Sequence, residues 1–165
     1  MKKYLKPALY VLLGLLVVAQ FIKPERNLSN DQTNHLATQY PLPESVEVIL
    51  KTSCYDCHSN YTVYPWYANV QPVAAWLNNH VREGKRELNF SNFTTRRIAV
   101  QNHKLEEIIE MVREDEMPLA SYTWVHRDAI LSPEQKDVLL NWVQSTMDSI
   151  KAQYPADSLV LRRKG

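Results

Sequence analysis

The pentapeptide Cys54-Tyr55-Asp56-Cys57-His58 is the stretch of sequence around which the fold must be built. Two cysteines separated by two residues and followed directly by a histidine form the attachment signature of a c-type haem. The two thiols add to vinyl groups on one edge of the porphyrin, so they must lie on one side of a short turn. The sequence therefore predicts one covalent haem c on Cys54 and Cys57, with His58 as the proximal iron ligand.

Three other interpretations of the cysteine pair remain open, although each explains the histidine less well. A thioredoxin-like redox dithiol needs a βαβ context, and no β-branched strand leads into Cys54. A structural zinc site needs four ligands, yet no second cysteine pair and no closely spaced histidine pair follows His58. The third interpretation is a plain disulfide or a chance occurrence of the motif.

The composition favours a helical protein. The chain has 165 residues, only three glycines and few runs of β-branched residues, so we predict an all-α fold, a small cytochrome-c-like helical domain around one covalent haem. The formal net charge is +1, but three of the lysines lie in the first six residues, and the chain from Lys23 onward has 16 basic and 18 acidic residues. Because these charges are interspersed, the sequence predicts no nucleic-acid partner.

Residues 1–22 predict an N-terminal signal or membrane helix. Three lysines precede an uncharged, apolar run from Pro7 to Ile22, which is the order found in export signals. A cleaved signal peptide would be cut after Ala19, whereas an uncleaved anchor, which we favour, would be short for the roughly 17–25 residues that a bilayer needs. The anchored form places the following chain at the periplasmic side of the bacterial inner membrane, and the cleaved form releases it into the periplasm.

The rest of the chain divides into a flexible linker over residues 23–43, a helical haem-binding domain over residues 44–153 and a polar tail over residues 154–165. The linker prediction rests on a run of polar residues with prolines near its ends. Helices of the domain are predicted from Glu44 to the cysteines, over Val73–Glu87, over Thr95–Asp115 and from Ser132 onward, where Ser132, Pro133 and Gln135 form a capping box.

Aromatic side chains follow the haem motif closely. Large flat rings suit the face and edge of a porphyrin, but they also suit any small core. We expect two of them to contact the haem and favour Trp66. We also expect a backbone carbonyl near Pro65 or Pro72 to accept a hydrogen bond from the second ring nitrogen of His58. The five aromatic residues are Tyr61, Tyr64, Trp66, Tyr67 and Trp76.

Met117 is the candidate for the distal iron ligand. A proline disfavours helical geometry in the residue before it, so the third helix must end before Pro118 and the thioether of Met117 can turn toward the interior. Methionine opposite histidine is the ligand pair of electron-carrying cytochromes c and raises the reduction potential. His126 is the competing ligand, and packing in the core is the alternative role of Met117. The other three histidines outside the motif are predicted to be solvated: His35, His80 and His103.

A series of short motifs follows the haem signature in a fixed order: Tyr64-Pro65-Trp66-Tyr67, Pro72-Val73, Val81-Arg82-Glu83-Gly84, Leu88-Asn89-Phe90-Ser91, Glu116-Met117-Pro118 and Leu131-Ser132-Pro133-Glu134. Together with Cys54-Tyr55-Asp56-Cys57-His58-Ser59-Asn60, they resemble the bacterial haem-binding domain family of cytochrome-c-like proteins over about residues 44–145. The resemblance implies an exported, single-haem helical domain. In that family pattern Cys54 and Cys57 carry the haem, His58 ligates the iron, and Met117 occupies the Met-Pro position.

These observations predict a membrane-tethered, periplasmic, monohaem c-type cytochrome that transfers single electrons between redox partner proteins. The sequence identifies no substrate chemistry, so we expect an electron carrier and not an enzyme. A haem-based sensor or small-gas-binding protein is the alternative, in which the sixth iron position is open or Met117 is displaced. A structural or zinc-binding module is a third class.

Overall fold

Residues 2–161 of the computed structural model are described, and they are built from helices and loops. Five short 3₁₀ helices accompany the α-helices, and within residues 2–161 the only β-type pairing is an isolated bridge between Leu28 and Tyr61. The predicted all-α fold is confirmed. The seven α-helices are α1 (Lys2–Ala19), α2 (Glu44–Ser53), α3 (Tyr55–His58), α4 (Val73–Glu87), α5 (Ile98–Arg113), α6 (Ala120–Thr123) and α7 (Pro133–Gln153).

Helix α7 begins as the sequence predicts. The hydroxyl of Ser132 accepts a hydrogen bond from the backbone N–H of Gln135 (3.2 Å), and the Gln135 side chain accepts one from the backbone N–H of Ser132 (2.9 Å). This reciprocal capping box satisfies two N–H groups that a helix leaves unpaired at its start. Pro133 occupies the first turn, where its missing N–H has no cost.

The core lies where α5, α7 and α2 pack together. Helix α7 contacts both α5 and α2, and each helix presents an apolar stripe at helical spacing. Burying one valine, leucine, isoleucine or methionine side chain stabilises the fold by about 1.5–3 kcal/mol. The buried stripes are Val46, Ile49 and Leu50 on α2, Leu105, Ile108, Ile109 and Val112 on α5, and Leu139, Trp142, Val143, Met147 and Ile150 on α7.

The prediction of a flexible linker over residues 23–43 is wrong, because this segment is docked on the helical domain. Leu36 is fully buried in the core, and Tyr40 is buried beside it with its hydroxyl donating to Gln101 (2.6 Å). The side-chain amide of Asn27 donates to Ser59 and Thr62. Polar composition misled the prediction, since here the amide groups form cross-links and two apolar side chains suffice to anchor the segment.

A smaller correction concerns His35, which was predicted to be solvated, and the polar tail makes contacts that the sequence did not predict. His35 is half-buried, with its Nδ1 accepting a hydrogen bond from the backbone N–H of Ala37 (3.1 Å) and its ring against Tyr55. In the polar tail, Tyr154 and Leu159 pack against the core. Its last four positions, 162–165, lie outside the described residues.

Helix α1 is an apolar helix with little protein around it. The large apolar side chains from Leu5 to Val18 are 40–72% exposed. None of the helices within residues 2–161 combines the length and the apolar character that a membrane crossing requires.

Candidate functional site

The haem motif lies on a tight helical turn. Cys54 ends α2, and the backbone N–H groups of Cys57 (3.2 Å) and His58 (3.0 Å) both donate to its carbonyl. This turn brings both thiols to the wall of one cavity. The cysteines are not joined to each other, and burial raises the pKa of Cys54 to about 12 and that of Cys57 to about 11. Catalytic dithiols need the opposite shift, so this environment does not suit a redox pair.

The His58 ring is fixed by two backbone carbonyls at the end of α4. Its Nδ1 lies 3.0 Å from the carbonyl oxygen of Gly84 and 3.0 Å from that of Leu88. Both partners can only accept, so Nδ1 must carry the proton and Nε2 must carry the lone pair. The sequence predicted a carbonyl partner for this ring, but near Pro65 or Pro72; the structure supplies it from the other end of α4.

Burial keeps the His58 imidazole neutral. Removal from water lowers its pKa below the usual value, the two carbonyl bonds oppose this shift, and nearby Lys104 adds to it. A neutral imidazole with a proton on Nδ1 and a fixed orientation is the form that binds a metal through Nε2.

Gly84 allows α4 to approach the haem motif this closely. A Cβ atom at this position would lie 2.7 Å from the carbonyl oxygen of Cys57 and 3.0 Å from the Cys57 Cβ. Real Cβ contacts are not this short, so any side chain would push α4 and its carbonyl away from His58. The Gly84 carbonyl also accepts from the backbone N–H of Leu88 (2.9 Å), which ends the helix.

A buried polar network joins the loop after His58 to the loop after α4. The side-chain carbonyl of Asn60 accepts from the amide of Asn89 (2.9 Å), and the Asn60 amide donates to the carbonyl of Asp31 (3.0 Å). The backbone N–H of Asn60 donates to Ser91 (3.0 Å). These bonds hold Leu88, the neighbour of Asn89, against the histidine loop. In the sequence, Asn60 follows His58 by two positions and Asn89 directly follows Leu88. The sequence alone did not show that these two asparagines contact each other.

Two adjoining cavities open around His58. Their volumes are about 320 and 380 Å³, and both are lined by Cys54, His58 and Met117. The first is bordered by Cys57 and the C-terminal half of α4, and the second by apolar side chains of the core. Volumes of this order are typical of small-molecule and cofactor sites. The structure thus brings four of the five predicted site residues to one place.

Met117 reaches the cavities from a turn at the end of α5. The backbone N–H groups of Glu116 (2.9 Å) and Met117 (3.1 Å) both donate to the carbonyl of Met111. Asp115, between them and the helix, has a φ of 58°, the left-handed conformation that often ends helices. Met111 lines the second cavity as well, so it is a second methionine thioether near His58.

Trp66 and His126 are not brought to the cavities. Trp66 is 79% exposed, and its ring meets that of Tyr67. The Nε2 of His126 is hydrogen bonded to the Tyr67 hydroxyl (2.8 Å), and its ring stacks on Tyr122 at 4.3 Å. Neither residue lines the space around His58.

Several residues around the first cavity were not singled out by the sequence. Tyr122 lines it and donates to the carboxylate of Asp56 (2.8 Å), a residue inside the haem motif. Burial and the Asp56 charge raise the pKa of Tyr122, so the hydroxyl stays protonated and keeps donating. His80, predicted to be solvated, is half-buried at the cavity wall with its ring on Trp76.

The residues present fit a haem. The candidate donors are the neutral His58 imidazole, whose Nδ1 is taken up by the two carbonyls, two thiols that are not joined to each other, and the thioether of Met117, which borders both cavities. Met111 and His80 also line one cavity each. Lys104, whose side chain is 13% exposed, lines the second cavity beside Glu107 and could face an anionic substituent. Within residues 2–161, no three histidine, cysteine or acidic side chains form a group that could hold a metal ion by themselves.

A helical fold of this kind, with these ligands around one cavity, defines a haem-binding protein. The comparisons agree: the family model described as a haem-binding domain matches residues 14–145, and the chain belongs to that family. The match includes the docked segment 23–43, which is therefore part of the family's domain. Comparison with curated proteins and with solved structures gives no match.

Proposed function

We propose that this protein is an exported c-type cytochrome with one haem, which transfers single electrons between redox partner proteins. The observation that carries the proposal is the state of His58. Its Nδ1 is committed to two carbonyls, and its lone pair is left for iron in a cavity that Cys54, Cys57 and Met117 also line. When bound, the haem supplies one-electron redox chemistry.

The side chains of the site have separate tasks in this proposal. Cys54 and Cys57 would hold the group by thioether bonds, and their protonated thiols lie on one turn as that attachment requires. His58 would bind the iron through Nε2, with the ring orientation set by Gly84 and Leu88. Met117 would supply a second protein ligand to the iron, because it borders both cavities. An electron carrier needs no further reacting group, so we propose no catalytic activity for the chain alone.

The proposed location is the periplasmic side of the bacterial inner membrane. The support is the order of lysines and apolar residues at the N-terminus together with the exposed apolar surface of α1. The mass of the mature chain distinguishes a retained helix from one cut after Ala19.

Substitution of Met117 tests the function. The full chain, produced in a host that attaches haem c, is compared with Met117→Ala and with Met111→Ala, which removes the other cavity-lining thioether. We expect a far-red sulfur-to-iron absorption band in the oxidised protein, lost in Met117→Ala and kept in Met111→Ala.

A sensor or gas-binding protein would behave differently. In that case the band is absent from the unsubstituted protein, and the reduced form binds carbon monoxide readily because the sixth position is open. Haem staining after denaturing electrophoresis checks the covalent attachment, since a non-covalent haem or a zinc module would leave no stain.

A further inference from the structure

The end of α1 is fixed to the helical domain. The backbone N–H of Gln71 donates to the side chain of Gln20 (2.9 Å), and the side-chain amide of Gln71 donates to the carbonyl of Ile22 (2.6 Å). Four residues after Ile22, the guanidinium of Arg26 donates a hydrogen bond to the side-chain oxygen of Asn69. The same guanidinium lies over the ring of Tyr64, 4.8 Å from its centroid. Because segment 23–43 is docked and not flexible, α1 leaves the domain at one defined point.

Exposed apolar side chains flank this point. Gln71 lies between the short 3₁₀ helix Trp66–Asn69 and α4, and both carry large apolar residues that face solvent. A cluster of exposed apolar side chains usually marks an interaction surface. We call this set the exit surface: Phe21 (83% exposed), Trp66 (79%), Val70 (44%), Val73 (36%) and Trp76 (47%).

We propose that the exit surface rests in the interfacial layer of a lipid bilayer, into which α1 inserts its apolar side chains. This inference rests on the proposed membrane attachment. A bilayer is the occupant because the surface lies beside the end of α1, whose large apolar side chains are exposed from Leu5 to Val18, and the hydrogen bond between Gln71 and Gln20 fixes the two next to each other. Tryptophan is also the residue that prefers the boundary between lipid and water.

The proposal gives Trp66 and Trp76 a role that the haem site does not. Both rings combine a large apolar surface with one N–H donor, which suits the headgroup region. A domain seated on these residues would have a fixed orientation relative to the membrane, so the haem cavity would be presented to partners from one direction.

Spin labels at two matched valines test the proposal. The full chain is reconstituted into vesicles of phosphatidylethanolamine and phosphatidylglycerol. A nitroxide is attached either to Val70→Cys on the exit surface or to Val48→Cys on α2. The two valines are similarly exposed in the native chain, Val70 by 44% and Val48 by 54%. We expect the label at position 70 to lose collisions with a water-soluble nickel complex and to gain collisions with oxygen when vesicles are present. The label at position 48 should keep its aqueous behaviour.

Three results would overturn the proposal. In the first, the labels at positions 70 and 48 respond equally to vesicles. In the second, the label at position 70 loses collisions with both the nickel complex and oxygen, which indicates burial against a second copy or another protein and not against lipid. In the third, the mature chain lacks α1 and does not float with vesicles. Haem staining of the same samples and labelling of the unsubstituted chain report separately on the haem, so a failed haem proposal is distinguishable from a failed membrane proposal.

Discussion

The two sides of the candidate haem site are built differently. On the histidine side, His58 is held by two carbonyls of α4, a glycine that admits close approach and a buried asparagine network. On the methionine side, Met117 follows a turn whose backbone is fixed by two bonds to one carbonyl of α5. The position of His58 is therefore fixed by many buried contacts, whereas the position of Met117 depends on the conformation of one short segment after α5.

This difference has a functional meaning under the proposed role. A ring fixed by buried hydrogen bonds costs little reorganisation when the iron changes its oxidation state. A ligand on a lightly held segment is the one that a small molecule could displace. Substitutions near His58 and substitutions near Met117 therefore test whether the two ligands are held with different strength.

The largest effect is expected from Asn60→Ala. The change leaves the buried Asn89 amide without its partner, which costs about 1–3 kcal/mol, and it removes the hydrogen bond to the carbonyl of the exposed Asp31, which contributes about 0.5–1.5 kcal/mol. We therefore expect a loss of about 2–4 kcal/mol in the free energy of unfolding. Urea unfolding of the purified protein measures it.

The matched control is Asn92→Ala, because Asn92 is exposed and offers Asn60 only a long bond of 3.3 Å. It should change the free energy of unfolding by no more than about 0.5 kcal/mol. Equal losses in the two variants would show that the network does not hold the histidine loop.

A smaller effect is expected from Gly84→Ala. Alanine in a helix is usually more stable than glycine by about 0.5–1 kcal/mol, but here the added Cβ would strike the Cys57 carbonyl at 2.7 Å. Overpacking costs about 1–3 kcal/mol, so the net result should be a destabilisation of about 1–2 kcal/mol. A weaker Gly84 bond also makes the imidazole less basic, and the reduction potential should rise.

Gly14→Ala in α1 is the control, since a Cβ there meets nothing within 4 Å. It should leave both the domain's unfolding and the reduction potential unchanged. If Gly84→Ala stabilises the protein or leaves the potential where it was, the close approach of α4 does not position His58.

The sequence correctly predicted the features that depend on residues close together in the chain. The capping box of α7, the helix Val73–Glu87 and the apolar stripes of α5 and α7 each follow from residues a few positions apart. The cysteine motif likewise contains its own geometry, because one helical turn places both thiols.

The parts that could not be predicted depend on contacts between distant segments. Nothing near Gly84 shows that its carbonyl meets a histidine 26 positions earlier. Residues 23–43 have the composition of a linker, and only the fold shows that Leu36 enters the core. Trp66 was placed at the haem because aromatic rings suit porphyrins, but the same property suits an exposed surface equally well.

The smallest effect, on the methionine side, is expected from Asp115→Gly. Asp115 has a left-handed φ of 58°, which glycine adopts without the steric cost that a Cβ adds, so we expect a gain of about 0.5–1 kcal/mol in the free energy of unfolding. The lost ion pair with Lys136 lies near the surface and contributes little. Lys136→Ala, which removes the ion pair alone, is the control and should be close to neutral. The sulfur-to-iron band should survive, because the backbone bonds to Met111 remain; its loss would mean that the aspartate side chain, and not the turn, places Met117.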